Sequence, residues 1–169
     1  MHGINVHKIG NYISCSGTGN ARFFYFSSWN SAGVPHNAIH LGTLDGAGAW
    51  GRGIATGKLF DKNKWYFVAG VINNEDGMTR AYVDGKLAHE QKFTTGDTPG
   101  TPTAIWIGGT PEAYQWVTGT MDEVAFYNAA LTEDDINFIM KNGLMKGVIK
   151  AVDSHGKVAT TWGGIKNAD

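Results

Sequence analysis

Asp122 and Glu123 are adjacent in the chain, so on a strand their side chains point to opposite faces. A retaining glycosidase needs two carboxyl groups flanking one bond about 5 Å apart, and this pair cannot supply them. No Glu-x-Asp-x-x-Glu run, which would set carboxylates on one strand face, occurs anywhere. Glu133, Asp134 and Asp135 crowd together as charges at a helix start. There is no Gly-x-Ser-x-Gly, and Cys15 has no histidine with local support. An enzyme is therefore not expected. His36 and His40 could share one face of a helix or strand, but a transition-metal site needs a third ligand and none is near in sequence. They read as surface or core histidines, and His2, His7, His89 and His155 are scattered without a role.

The aromatic residues offer another chemistry. Sugar recognition sets an aromatic plane against the apolar face of a pyranose, with a few amides or charged groups for the hydroxyls. Tyr114-Gln115-Trp116 and Trp50-Gly51-Arg52 supply that combination in loops, and Trp29-Asn30 is a third candidate. The competing reading of each is an aromatic folded inward as a loop anchor. Trp65 and Trp106 lie inside apolar runs and are expected in the core.

Those loops need a scaffold. At 169 residues and 42% hydrophobic, the chain suits one domain with a full core. Its 24 glycines are about twice the average share and favour tight turns and short strands over long helices. A net charge of −1 without a basic cluster argues against nucleic acid, and no run of about eighteen apolar residues marks a membrane span. Cys15 is the single cysteine, so no internal disulfide is expected. The first residues, Met1-His2-Gly3-Ile4-Asn5, show no basic segment leading into an apolar one, and no signal peptide is read there.

The organising stretch is Trp65 to Phe93. Trp65 to Val71 is continuously apolar, as in a strand buried on both faces. Asn74-Glu75-Asp76-Gly77 is a reversal, and Asp84-Gly85 between apolar flanks signals a tight hairpin. The spacing predicts an antiparallel meander. Before it come strands at Tyr12–Ser16 and Ala21–Trp29, a short strand at Ala38–Leu41, and a Gly-rich loop from Gly42 to Gly57. Phe23 to Phe26 is too continuously apolar to leave a face in water. After it come a loop from Thr94 to Thr103, a buried strand at Ala104–Gly108, a rim loop from Thr110 to Gly119, and a strand from Met121 to Asn128. Thr132 then caps a helix over Glu133–Lys141. Ile136, Ile139 and Met140 form its buried stripe, and Gly143 ends it.

Four motifs together carry a resemblance: Trp65-Tyr66-Phe67-Val68-Ala69, Tyr82-Val83-Asp84-Gly85-Lys86, Ile105-Trp106-Ile107-Gly108-Gly109, and Gly119 to Thr132 with its Met121-Asp122-Glu123-Val124 core. In this order the chain resembles a laminin G-like domain of the concanavalin A-like lectin/glucanase superfamily, a pentraxin-like jelly roll. The resemblance implies an all-β, two-sheet antiparallel jelly-roll sandwich with one short helix near the C-terminus. Residues 1–146 would form that domain, lacking the family's first strand or strands, and residues 147–169 a hairpin or linker tail. An early family strand normally lies beside the one at Asp122–Tyr127, so that edge would need covering by residues 2–8, by residues 148–152, or by a second copy. Asp122 matches the family's acidic position, which implies Ca2+; the alternative is that Asp122 hydrogen-bonds neighbouring backbone. Calcium takes about six to eight oxygens, and one matched carboxylate is a small part of such a set.

The expected function is non-catalytic recognition of a glycan or an extracellular or cell-surface partner, as in adhesion, with Trp50, Arg52, Tyr114, Gln115 and Trp116 as ligand-binding residues. The rival expectation is a structural or assembly module that joins copies or neighbouring domains through its sheets.

Overall fold

The computed structural model describes residues 11–17, 22–27, 38–43, 54–56, 60–61, 63–93, 102–109, 116–117 and 119–146. Among them are eight strands and one ten-residue helix. The strands are β1 (Asn11–Gly17), β2 (Arg22–Ser27), β3 (His40–Thr43), β4 (Ile54–Ala55), β5 (Val68–Asn73), β6 (Met78–Val83), β7 (Lys86–Lys92) and β8 (Pro102–Ile107). The helix α1 spans Glu133–Asn142. One compact unit covers residues 1–124 and a second covers residues 125–169.

The first unit is the antiparallel jelly-roll sandwich. One sheet has the order β4-β3-β2-β1-β8 and the other the order β5-β6-β7. Turn chemistry sets the meander. Asp84 and Gly85 both take positive φ, 49° and 78°, the geometry whose twist matches that of the flanking strands. Val83 therefore pairs directly with Lys86. Asp84 also reaches sideways. Its carboxylate accepts from the Phe67 N–H at 3.0 Å, and its own N–H donates to the Phe67 carbonyl at 2.8 Å. In the preceding turn the Asn73 and Asp76 side chains accept from the N–H groups of Glu75 and Met78, with Gly77 at φ 69°.

Both sheets feed one core. Tyr12, Phe26, Ile39, Leu41 and Ile54 contribute from the five-stranded side, Ala81 from β6, and Phe60 from the connection between the sheets. Val68, Ile72 and Val83 pack against this cluster. The sheets approach closely at Gly70, where an added Cβ would lie 2.5 Å from Leu41 Cδ2. Val71 and Tyr82 alternate away from the core-facing residues and are buried as well. The expectation of a strand buried on both faces is thus met in part, although β5 begins at Val68 rather than Trp65. Trp65 is half-buried rather than fully in the core.

Three expectations need correction. The segment expected as a Gly42–Gly57 loop contains β4, which pairs with β3. Thr56 closes that return, its hydroxyl accepting from the Ile39 N–H and its N–H donating to the Ile39 carbonyl, both at 2.9 Å. The expected buried strand at 104–108 is instead the terminal strand of its sheet among the described residues, and Trp106 is 38% exposed rather than core. A terminal strand has a neighbour on one side only, so its side chains lose cover from the other. The expected strand from Met121 to Asn128 joins no ladder among the described residues. Glu123 there takes φ 52°, a left-handed conformation that interrupts an extended run.

In the second unit, α1 starts as its sequence requires. Thr132 Oγ1 accepts from the Asp135 N–H at 3.2 Å, and the Asp135 carboxylate accepts from the Thr132 N–H at 3.1 Å, closing a capping box. Gly143 ends the helix at φ 82°, donating to the Ile139 carbonyl. Ile136 and Ile139 are buried as expected, and Met140 is half-buried. No helix among the described residues is long and apolar enough to cross a membrane. The segments at 2–8, 148–152 and 147–169, for which a covering strand or tail was expected, lie outside the described residues.

Candidate functional site

The site is built at the end of β8. Past Ile107 the chain enters Gly108, at φ 82°, and then the buried Gly109. Gly108 donates its N–H to the Tyr12 carbonyl at 2.8 Å, holding the turn to β1. The Ser14 hydroxyl, also on β1, donates to the Gly109 carbonyl at 3.3 Å. The returning chain is fastened at the same point, where the Val117 N–H donates to the Gly108 carbonyl at 3.0 Å. Val117 and Met121 pack against the core cluster.

These bonds place the Trp116 ring over Gly109. An ideal Cβ on Gly109 would lie 2.1 Å from Trp116 Cε3 and 2.7 Å from Cζ3. The indole occupies the space that a side chain at 109 would take. Even so it remains 52% exposed. A flat aromatic seated on backbone on one side and open to water elsewhere can stack on another flat apolar surface.

Asp122 is exposed, and its Oδ1 accepts from the Glu123 N–H at 2.9 Å. That is the backbone-bonding alternative weighed for it. Among the described residues no group of three or more His, Cys, Asp or Glu side chains lies close enough together to hold a metal ion. His40 lies half-buried in β3. Trp50, Arg52, Tyr114, Gln115, Trp29, Asn30 and His36 lie outside the described residues. Gly109 was missed as a site residue. Its signal was the second glycine of a pair that directly follows an apolar strand.

A laminin G family model, described as Concanavalin A-like lectin/glucanases superfamily, matches residues 5–137. Among curated proteins none matches the chain by sequence. Among solved structures the chain is similar to a candidate carbohydrate binding protein from Bacteroides ovatus, with 22% identity and a TM-score of 0.61, covering 79% of this chain and 38% of that one. It is also similar to the native heptameric SAP-like pentraxin of Limulus polyphemus, with 18% identity and a TM-score of 0.60, covering 82% of this chain and 66% of that one. At such identities the likeness speaks for the fold alone. The chain spans well under half of the first relative's length and about two thirds of the second's.

Proposed function

Because the chain belongs to the Concanavalin A-like lectin/glucanases superfamily, we propose that it is a non-catalytic recognition module whose ligand is a glycan, bound outside the cell. The carrying observation is the half-exposed Trp116 indole seated on the Gly109 backbone. A pyranose would lay its C–H face on the open part of that ring, which removes apolar surface from water without any conformational change in the protein. Trp50, Arg52, Tyr114 and Gln115 are proposed as further members of the binding surface. Tyr and Trp would extend the stacking, and Arg and Gln would bond hydroxyls. The carbohydrate binding and pentraxin descriptions of the two similar structures support a recognition role of this class.

Asp122 is proposed as the carboxylate that a calcium ion would use if the module needs one. The test is a glycan array probed with the full chain in calcium and in EDTA, with Trp116→Ala beside the parent. The expected result is binding to a related set of glycans that Trp116→Ala reduces about tenfold, equivalent to about 1.4 kcal/mol, with unchanged melting. Binding that Trp116→Ala leaves untouched would refute the site. Loss of binding in both EDTA and Asp122→Ala would assign calcium a part in it.

A further inference from the structure

We propose that β8 is a self-association edge, and that its occupant is β8 of a second copy of this chain, paired antiparallel about Trp106. Among the described residues each sheet of the sandwich ends in two outer strands, and two of the four outer strands carry a device against pairing. β4 is two residues long. β7, Lys86–Lys92, is fully exposed and carries Lys86, His89, Glu90 and Lys92. β5 exposes none of its large apolar side chains. β8 has one such residue, Pro102, and only at its first position. It reads Pro-Thr-Ala-Ile-Trp-Ile without a charge, and Gly108 and Gly109 follow it. Ile105 is 57% and Ile107 59% exposed.

The backbone register fits a symmetric partner. Gly108 donates to Tyr12 of β1, and Ser14 of β1 is opposite Trp106. In an antiparallel ladder alternate residues aim their N–H and C=O groups to the same side. Gly108, Trp106 and Ala104 therefore turn theirs toward β1, and Ile105 and Ile107 turn theirs toward the side on which no described strand pairs. A two-fold axis through Trp106 sets Ile105 of each copy opposite Ile107 of the other. Each such pair exchanges both backbone hydrogen bonds, and its β-branched side chains meet on one face. Trp106 faces its counterpart as a non-hydrogen-bonded pair, the closer of the two pair types. The pattern Ile-Trp-Ile reads the same in both directions, which is what an isologous interface requires. A neutral strand brings no like charges together. The interface is independent of the glycan reading.

The experiment is sedimentation equilibrium of the full chain over a wide concentration range, with Ile107→Lys alongside, and residue-resolved hydrogen exchange on the parent. The expected result is a concentration-dependent doubling of mass that Ile107→Lys abolishes while its melting in dilute solution stays that of the parent. In the parent, exchange at the Ile105 and Ile107 amides slows as concentration rises, while that at Trp106, already bonded within its sheet, does not change. A monomer at every concentration, or a dimer that survives Ile107→Lys, overturns the proposal. So does protection of Ile105 and Ile107 that is independent of concentration, since their own chain would then cover the edge.

Discussion

Gly109 has one role that no other residue can fill: its missing side chain is the seat of Trp116. In Gly109→Ala the new methyl meets the indole at well under contact distance, and one of them must move. The half-exposed ring is free to swing outward, whereas the backbone at 109 is held by Ser14 and its neighbours. Glycan binding should therefore fall about tenfold while stability changes by less than about 1 kcal/mol. Calorimetric melting alongside a binding isotherm separates the two, and a large loss of stability with intact binding would contradict the seat. Cys15 is the other residue whose surroundings decide its behaviour. It is buried in β1, and desolvation pushes its thiol pKa above the usual thiol range. The thiolate is the reactive form, so at neutral to mildly alkaline pH both protonation and burial oppose attack. An Ellman reagent assay should show slow reaction in the native protein and fast reaction in denaturant. Equal rates in both would show that the thiol is not protected.

The most sensitive element is β5, because its Gly70 lets the two sheets close on each other. Leu41 is completely buried, so its methyl groups have little room to retreat from a Cβ placed 2.5 Å away. Alanine would ordinarily suit a strand interior better than glycine, but here overpacking outweighs that gain. Gly70→Ala should destabilise by about 1–3 kcal/mol, seen as a lowered melting temperature; an unchanged or raised one would mean the sheets can part without loss. The hairpin between β6 and β7 shows a different kind of control, in which one aspartate serves the turn and the strand beside it. Asp84 takes positive φ for the reversal and ties down Phe67, just before β5 begins.

At the level of the whole molecule, six of the described carboxylates serve the structure. Asp61 pairs with Lys64, Asp76 and Glu90 pair with Arg80, Asp84 serves the hairpin, and Asp135 caps α1. Asp122 bonds the backbone of its own neighbour. A retaining glycosidase needs two carboxyl groups about 5 Å apart and open to the substrate. Incubation with polysaccharides should release no reducing sugar; turnover that one Asp or Glu substitution abolishes would make this an enzyme after all. Aromatic and apolar side chains also face outward, at Trp116 and along β8.

Local chemistry wrote the meander and the helix into the chain. Asp84-Gly85 admits few backbone conformations, and Thr132 with Asp135 three residues on needs only its own turn to close. Such features were legible because the interacting groups are near neighbours, and the apolar runs around them showed that sheets would form. Trp116 was legible as a candidate by type and position, but its seat on Gly109 depends on a chain return that composition does not reveal. Ile105-Trp106-Ile107 read as buried because apolar runs usually are. Tertiary pairing made β8 the outer strand of its sheet and left those side chains in water. The run from Met121 to Asn128 has strand-like residues, yet it joins no ladder among the described residues, and Glu123 turns left-handed. Which residues belong to a strand is a property of the strand; which strand ends a sheet depends on pairings between residues far apart in the chain.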